Sequence, residues 1–135
     1  MGTRVSLSLP SSTGALVTVP LPSARVTVVD FWAPSCAPCR KKLPALVARE
    51  AALNAAGARL VLVAVLSDGE STADAESTLG SWGVQRPFLI DRGDASRSQA
   101  GVDHLPSTLV LEQTGDVRWV APVEANADDV LAAVR

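Results

Sequence analysis

The chain has 135 residues, 47% of them apolar, enough for one domain with its own core and too apolar for a disordered chain. Charged residues make up 19% and the formal net charge is −2, which excludes the basic stripe of a nucleic-acid surface. No apolar run reaches the roughly 18–20 residues of a membrane span, and Met1–Pro10 lacks the apolar stretch of a secretory signal. Two expectations stay open: a cytoplasmic protein, or one whose leader or anchor has been removed.

Val5–Leu9 alternates apolar and polar residues as a half-buried strand does, and Ala15–Val19 does so less cleanly beyond the turn residues Ser11–Gly14. Together they predict a peripheral hairpin, ended by Pro20 and Pro22. Arg25–Trp32 is β-branched and apolar and reads as a buried strand. A helix is predicted from about Ala37 to Ala56, with Leu43, Leu46, Val47 and Leu53 as its apolar stripe, a kink at Pro44 and a stop at Gly57. Leu60–Leu66 is an unbroken apolar run, the mark of a central parallel strand covered on both faces. Ser67–Glu70 reads as a polar loop, Ser71–Trp82 as a helix capped by Gly83, Pro87–Ile90 as a short strand and Asp94–Gly101 as one or two helical turns. Ser107–Leu111 and Val117–Val120 are strands about a turn at Thr114–Gly115, and Ala127–Arg135 is a closing helix. The order predicts an α/β fold with a central mixed β-sheet, helices on both faces and an added N-terminal β-hairpin. The β-α-β crossover should be right-handed. A single domain is expected, with the hairpin extension in residues 1–24 and the core in residues 25–135.

The two cysteines, Cys36 and Cys39, lie three residues apart. A disulfide of that spacing closes almost no loop and adds little stability, so a chemical role outweighs a structural one. Zinc needs four ligands, and this chain offers two cysteines and the single histidine His104. Covalent haem needs a histidine directly after the second cysteine, where Arg40 stands. No metal and no cofactor are expected. The pair follows a buried strand and opens a helix, so Cys36 faces unpaired N–H groups and the positive end of the dipole, which favour a thiolate. Cys39 lies one turn further in and is more sheltered. Cys36 is then the attacking sulfur and Cys39 the resolving one. Arg40, Lys41 and Lys42 add positive charge beyond the pair, or form an ordinary solvated helix face.

The stretch VVDFWAPSCAPCRKKLP resembles the active-site segment of thioredoxins, with Asp30-Phe31-Trp32-Ala33 before the pair and Pro44 five residues after Cys39. His104-Leu105-Pro106-Ser107-Thr108 is similar to the segment that carries the family's cis proline. Ser67–Glu70, Trp82-Gly83-Val84, Pro87–Asp91, Gly101-Val102 and the N-terminal hairpin resemble the TlpA/ResA-like branch, bacterial reductases of partner-protein disulfides, some of them serving cytochrome c maturation. The resemblance implies a thioredoxin-like fold over nearly the whole chain. It also implies that Asp30, on an apolar strand, helps deprotonate Cys39, since burial raises a carboxyl's pKa toward neutrality. The alternative is a capping or surface aspartate. Glu70 falls where the ResA-like branch carries an active-site glutamate, as a second proton carrier, or else as a carboxylate at a helix N-terminus. Pro106 should follow a cis bond and leave the Leu105 backbone free to pair with an extended substrate. The resemblance implies that substrate is received on Trp32, Pro38, Leu105 and Pro106. His104 reads as a loop residue or a tuner of the thiols. Ser35, Ala37 and Ala121-Pro122 depart from the pattern and alter the rim on which partners dock.

The reading that follows is a thiol–disulfide oxidoreductase reducing protein disulfides through Cys36 and Cys39. It is expected outside the cytoplasm, as a monomer, supplied with electrons by a membrane thiol transporter. The alternatives are a cytoplasmic thioredoxin-like reductase served by thioredoxin reductase, a disulfide-forming oxidant, and a non-catalytic redox-sensitive binding module.

Overall fold

A computed structural model of the chain describes residues 4–92, 99–102 and 104–135. Strands β1 (Leu7–Pro10) and β2 (Leu16–Val19) pair antiparallel, Leu7 opposite Val19. Five further strands form one sheet: β3 (Val26–Trp32), β4 (Ala58–Leu66), β5 (Leu89–Arg92), β6 (Ser107–Glu112) and β7 (Val117–Val120), in the order β5-β4-β3-β6-β7. β3 runs parallel to β4, and β4 to β5, whereas β6 is antiparallel to both β3 and β7, so the sheet is mixed as expected. The described helices are α1 (Cys39–Val47), α2 (Glu50–Ala55), α3 (Thr72–Ser81) and α4 (Ala127–Val134). The helical turns expected at Asp94–Gly101 fall largely outside the described residues.

Side chains of a strand alternate between its faces, and β3 sorts its residues accordingly. Val26, Val28 and Trp32 join a core with Leu43 and Leu46 of α1, Leu53 of α2, Leu79 of α3 and Val130, Leu131 and Val134 of α4. Val29 and Phe31 face the other way, into a cluster with Val5, Leu7 and Val19 of the hairpin segment and with Ala100 and Val102. The hairpin thus covers the sheet face opposite those helices. Asp30 shares its parity with Val28 and Trp32, and so lies on the face that α1 covers.

Some boundaries differ from the expected ones, three of them for plain local reasons. β1 starts at Leu7 because the Val5 N–H is taken by the Gly115 carbonyl, at 2.8 Å. β5 starts at Leu89 because Pro87 has no N–H and Phe88 pairs with Ser12 instead: its carbonyl accepts from the Ser12 N–H at 2.7 Å, and its N–H donates to Ser12 Oγ at 3.2 Å. The single kinked helix of residues 37–56 is two helices. It begins at Cys39, since a residue preceding proline disfavours helical backbone and Ala37 precedes Pro38. It passes through Pro44 and breaks at Ala48–Arg49, where the Arg49 N–H bonds the Leu46 carbonyl at 3.0 Å in a tighter turn. Elsewhere the helix signals are met. Ser71 and Asp74 form a reciprocal capping box at α3, and Asn126 and Asp129 another at α4. Gly115 has φ +93°, and a Cβ placed there would lie 2.6 Å from the Val5 carbonyl oxygen, so only glycine fits this turn beneath the N-terminal segment.

Candidate active site

β3 ends at Trp32, and the chain turns through Pro34–Pro38 before α1 begins. Cys36 lies in that turn and Cys39 is the first residue of α1; the two form a disulfide with Cα atoms 5.3 Å apart. Cys36 is partly exposed, whereas Cys39 is 0% exposed. Of the two sulfurs, only that of Cys36 is in a residue open to solvent. The Cys39 N–H donates to Cys36 Sγ at 3.3 Å, so a backbone dipole at the helix start is aimed at that sulfur. No carboxylate occupies the first turn of α1, where Arg40, Lys41 and Lys42 stand. Cations at a helix N-terminus oppose the macrodipole, an arrangement that makes sense beside a developing anion.

Asp30 is 2% exposed and sits opposite Thr108 across the β3–β6 ladder. Thr108 Oγ1 donates to Asp30 Oδ1 at 2.9 Å. Burial pushes the Asp30 carboxyl up from 3.8 to about 7, against the Thr108 hydrogen bond and the Lys42 charge, which both hold it down. A carboxyl titrating near 7 exchanges protons readily with a thiol. Asp30 lines a cavity of about 260 Å³ together with Lys41, Lys42, Leu46, Pro106 and Thr108, and with residues of the 121–127 segment. That is room for several waters between the carboxyl and solvent. Lys42 reaches across, its Nζ donating to the Val123 carbonyl.

The Leu105–Pro106 bond is cis. Both residues are half-buried and immediately precede Ser107, which pairs with Phe31 near the end of β3. Pro38 is exposed at the start of α1. Pro38, Leu105 and Pro106 therefore offer surface to a partner, and Trp32 does not. Trp32 is 0% exposed, packed edge-to-face at 5.7 Å against both Trp82 and Phe88. β-strand parity turns its ring into the helix-side core, which also holds Cys39. Glu70 stands half-buried just before α3. Its Oε1 accepts the Ser67 N–H at 2.7 Å, and its carbonyl accepts from Arg92, which holds the loop after β4. Ser71 and Asp74 cap α3, directly after Glu70, and Glu70 is not among the residues that line the Asp30 cavity. The His104 carbonyl accepts from Ser107 Oγ at 2.7 Å, bracing the proline turn. The sequence assigns Thr108 no role and leaves Lys42 between added positive charge beyond the pair and an ordinary solvated helix face. The one signal for Thr108 was its place in the segment that carries Pro106.

The family model described as Redoxin matches residues 4–134. A thiol-disulfide oxidoreductase ResA of Geobacillus thermodenitrificans is 26% identical over 102 residues, 76% of this chain and 57% of that protein, so the chain spans little more than half the length of this relative. Among solved structures, a Chlorobium tepidum protein provisionally named thiol:disulfide interchange protein DsbE is 28% identical, with TM-score 0.77 over 99% of this chain and 97% of that one. StoA of Bacillus subtilis, 16% identical, shares the fold at TM-score 0.77 over 100% of both chains. The fold is thioredoxin-like, and the chain belongs to the Redoxin family as a ResA-like member of the thioredoxin superfamily.

Proposed function

We propose that this chain is a thiol–disulfide oxidoreductase that reduces disulfides of partner proteins. The observation that carries this is the Cys36–Cys39 disulfide at the head of α1, one sulfur accessible and one buried. In the reduced protein the Cys36 thiolate attacks one sulfur of a substrate disulfide. The substrate S–S bond breaks, one substrate thiolate leaves, and a mixed disulfide forms on Cys36. Asp30 accepts the Cys39 proton, and the Cys39 thiolate attacks Cys36 Sγ. The second substrate sulfur leaves as a thiolate and is protonated from the medium. Two electrons have passed to the substrate, now a dithiol, and the Cys36–Cys39 pair is a disulfide again. A thiol donor must then reduce it.

Substrate binds along Pro38 and the backbone beside Leu105 and Pro106, with Trp32 as the floor beneath. Glu70 serves as a loop brace, and its proposed share in proton transfer is minor beside that of Asp30. The ResA-like family membership favours an extracytoplasmic setting and a membrane thiol transporter as donor. Among the described residues no helix is long and apolar enough to cross a membrane.

Direction is read from the reduction potential of the pair, by equilibration with thiol buffers and alkylation. A value near that of thioredoxin, about −270 mV, marks a reductase; a value near that of DsbA, about −120 mV, marks an oxidant and overturns the direction proposed here. Cys36→Ser should abolish turnover with a disulfide-bonded protein substrate. Turnover that survives the change would exclude the exchange mechanism.

A further inference from the structure

Lys42 stands on α1, three residues beyond Cys39, and its side chain is half-buried where those of Arg40 and Lys41 are exposed. Its Nζ donates to the carbonyl of Val123, in the loop between β7 and α4. Lys42 borders the Asp30 cavity, and Val123 lies in the chain between the lining residues Pro122 and Glu124. Lys41, Lys42 and Leu46 form the α1 wall; Ala121, Pro122 and Glu124 belong to the loop wall. The charged and titratable groups that line the cavity with the carboxyl are Lys41 and Lys42 from α1 and Glu124 from the loop; the Thr108 hydroxyl from β6 donates to the carboxyl, and the Cys36–Cys39 pair stands at the head of α1. A lysine left free would swing into solvent and be screened. Tethered to a carbonyl, its charge is held at the wall of the cavity that the buried Asp30 carboxyl also lines, where it is screened less than in open solvent.

We propose that Lys42 is a positioning residue for thiol–disulfide exchange: strapped to the Val123 carbonyl, it joins the two walls of the Asp30 cavity and holds the Asp30 carboxylate ready to take the Cys39 proton. The proposal rests on Asp30 being the base. It assigns a task to a lysine that would otherwise be one of three cations on a helix surface. It is consistent with the sign of the electrostatics, since the Lys42 charge favours the ionised carboxyl.

The test uses the full chain with Lys42→Gln and Lys42→Arg. Two quantities are followed from pH 5 to 9: the Asp30 carboxyl by carbon NMR, and the rate at which Cys39 resolves a mixed disulfide on Cys36. In Lys42→Gln both midpoints should move to higher pH by about half a unit, a ~3-fold loss of rate at pH 6 that vanishes by pH 9. Lys42→Arg keeps the charge and a donor and should stay near the unsubstituted protein. A uniform loss at every pH would mark a structural role only and overturn the proposal. An unmoved carboxyl midpoint, in a chain whose resolution is slowed by Asp30→Asn, overturns the Lys42 inference alone. A midpoint that moves while the rate profile does not would remove Asp30 as the base, and this role of Lys42 with it.

Discussion

Asp30→Asn removes a buried charge while keeping the shape of the side chain and an oxygen that can still accept from Thr108. Burial raises the carboxyl from 3.8 to about 7 in the folded protein. That is roughly three pH units at ~1.4 kcal/mol each, or about 4 kcal/mol. The folded state binds this proton more tightly than the unfolded chain. The stabilisation is therefore complete below about pH 4, declines as pH rises toward 7, and is gone above it. Asparagine does not titrate. The stability of Asp30→Asn relative to the unsubstituted protein should therefore grow by about 4 kcal/mol between pH 4 and pH 8. The assay is urea unfolding of the oxidised proteins at each pH, taken as a difference between the two chains. Carboxylates held below their ordinary range by hydrogen bonds, such as Asp74 and Asp116, are common to both and cancel. In the same variant the resolution step should slow on the order of 10²-fold at pH 8, the usual weight of a general base. A stability difference that stays flat with pH would refute the buried, proton-binding carboxyl. A flat difference together with unchanged resolution would remove Asp30 from the site altogether.

Thr108→Val deletes the hydroxyl that donates to Asp30 Oδ1 at 2.9 Å, a bond that favours the ionised carboxyl. The Asp30 midpoint should climb further, and the acidic limb of the resolution rate should move to higher pH, with little change at pH 9. Gly115→Ala must place a Cβ 2.6 Å from the Val5 carbonyl oxygen at φ +93°. It should cost about 1–3 kcal/mol of stability in urea unfolding at unchanged secondary structure.

The central block was legible because its signals are local. Alternation along Arg25–Trp32 places Asp30 on the same face as Val28 and Trp32, and the strand is followed at once by the cysteine pair. Gly57 and Gly83 both have positive φ, the backbone that ends a helix, and Pro106 follows a cis bond. What escaped depends on contacts between distant segments. The Lys42–Val123 bond spans 81 residues, and no periodicity announces a lysine that reaches from its helix to a distant loop. The Thr108–Asp30 bond spans 78 residues and follows only from the antiparallel register of β3 and β6. The position of Trp32 next to the site points to a partner contact, and the parity that buries Asp30 also buries its ring. Glu70 follows β4, and no sequence pattern announces that its carboxylate accepts the Ser67 N–H of its own loop. The break at Ala48–Arg49 carries neither proline nor glycine, so the expected kink was assigned to Pro44 instead.

The most direct test of the account is trapping of the mixed disulfide. The Cys39→Ser and Cys36→Ser chains, reduced and then mixed with a disulfide-bonded protein, are resolved by non-reducing mass spectrometry. The account predicts a stable adduct on Cys36 in Cys39→Ser and none in Cys36→Ser. An adduct on Cys39 in Cys36→Ser, or none in either chain, would contradict it.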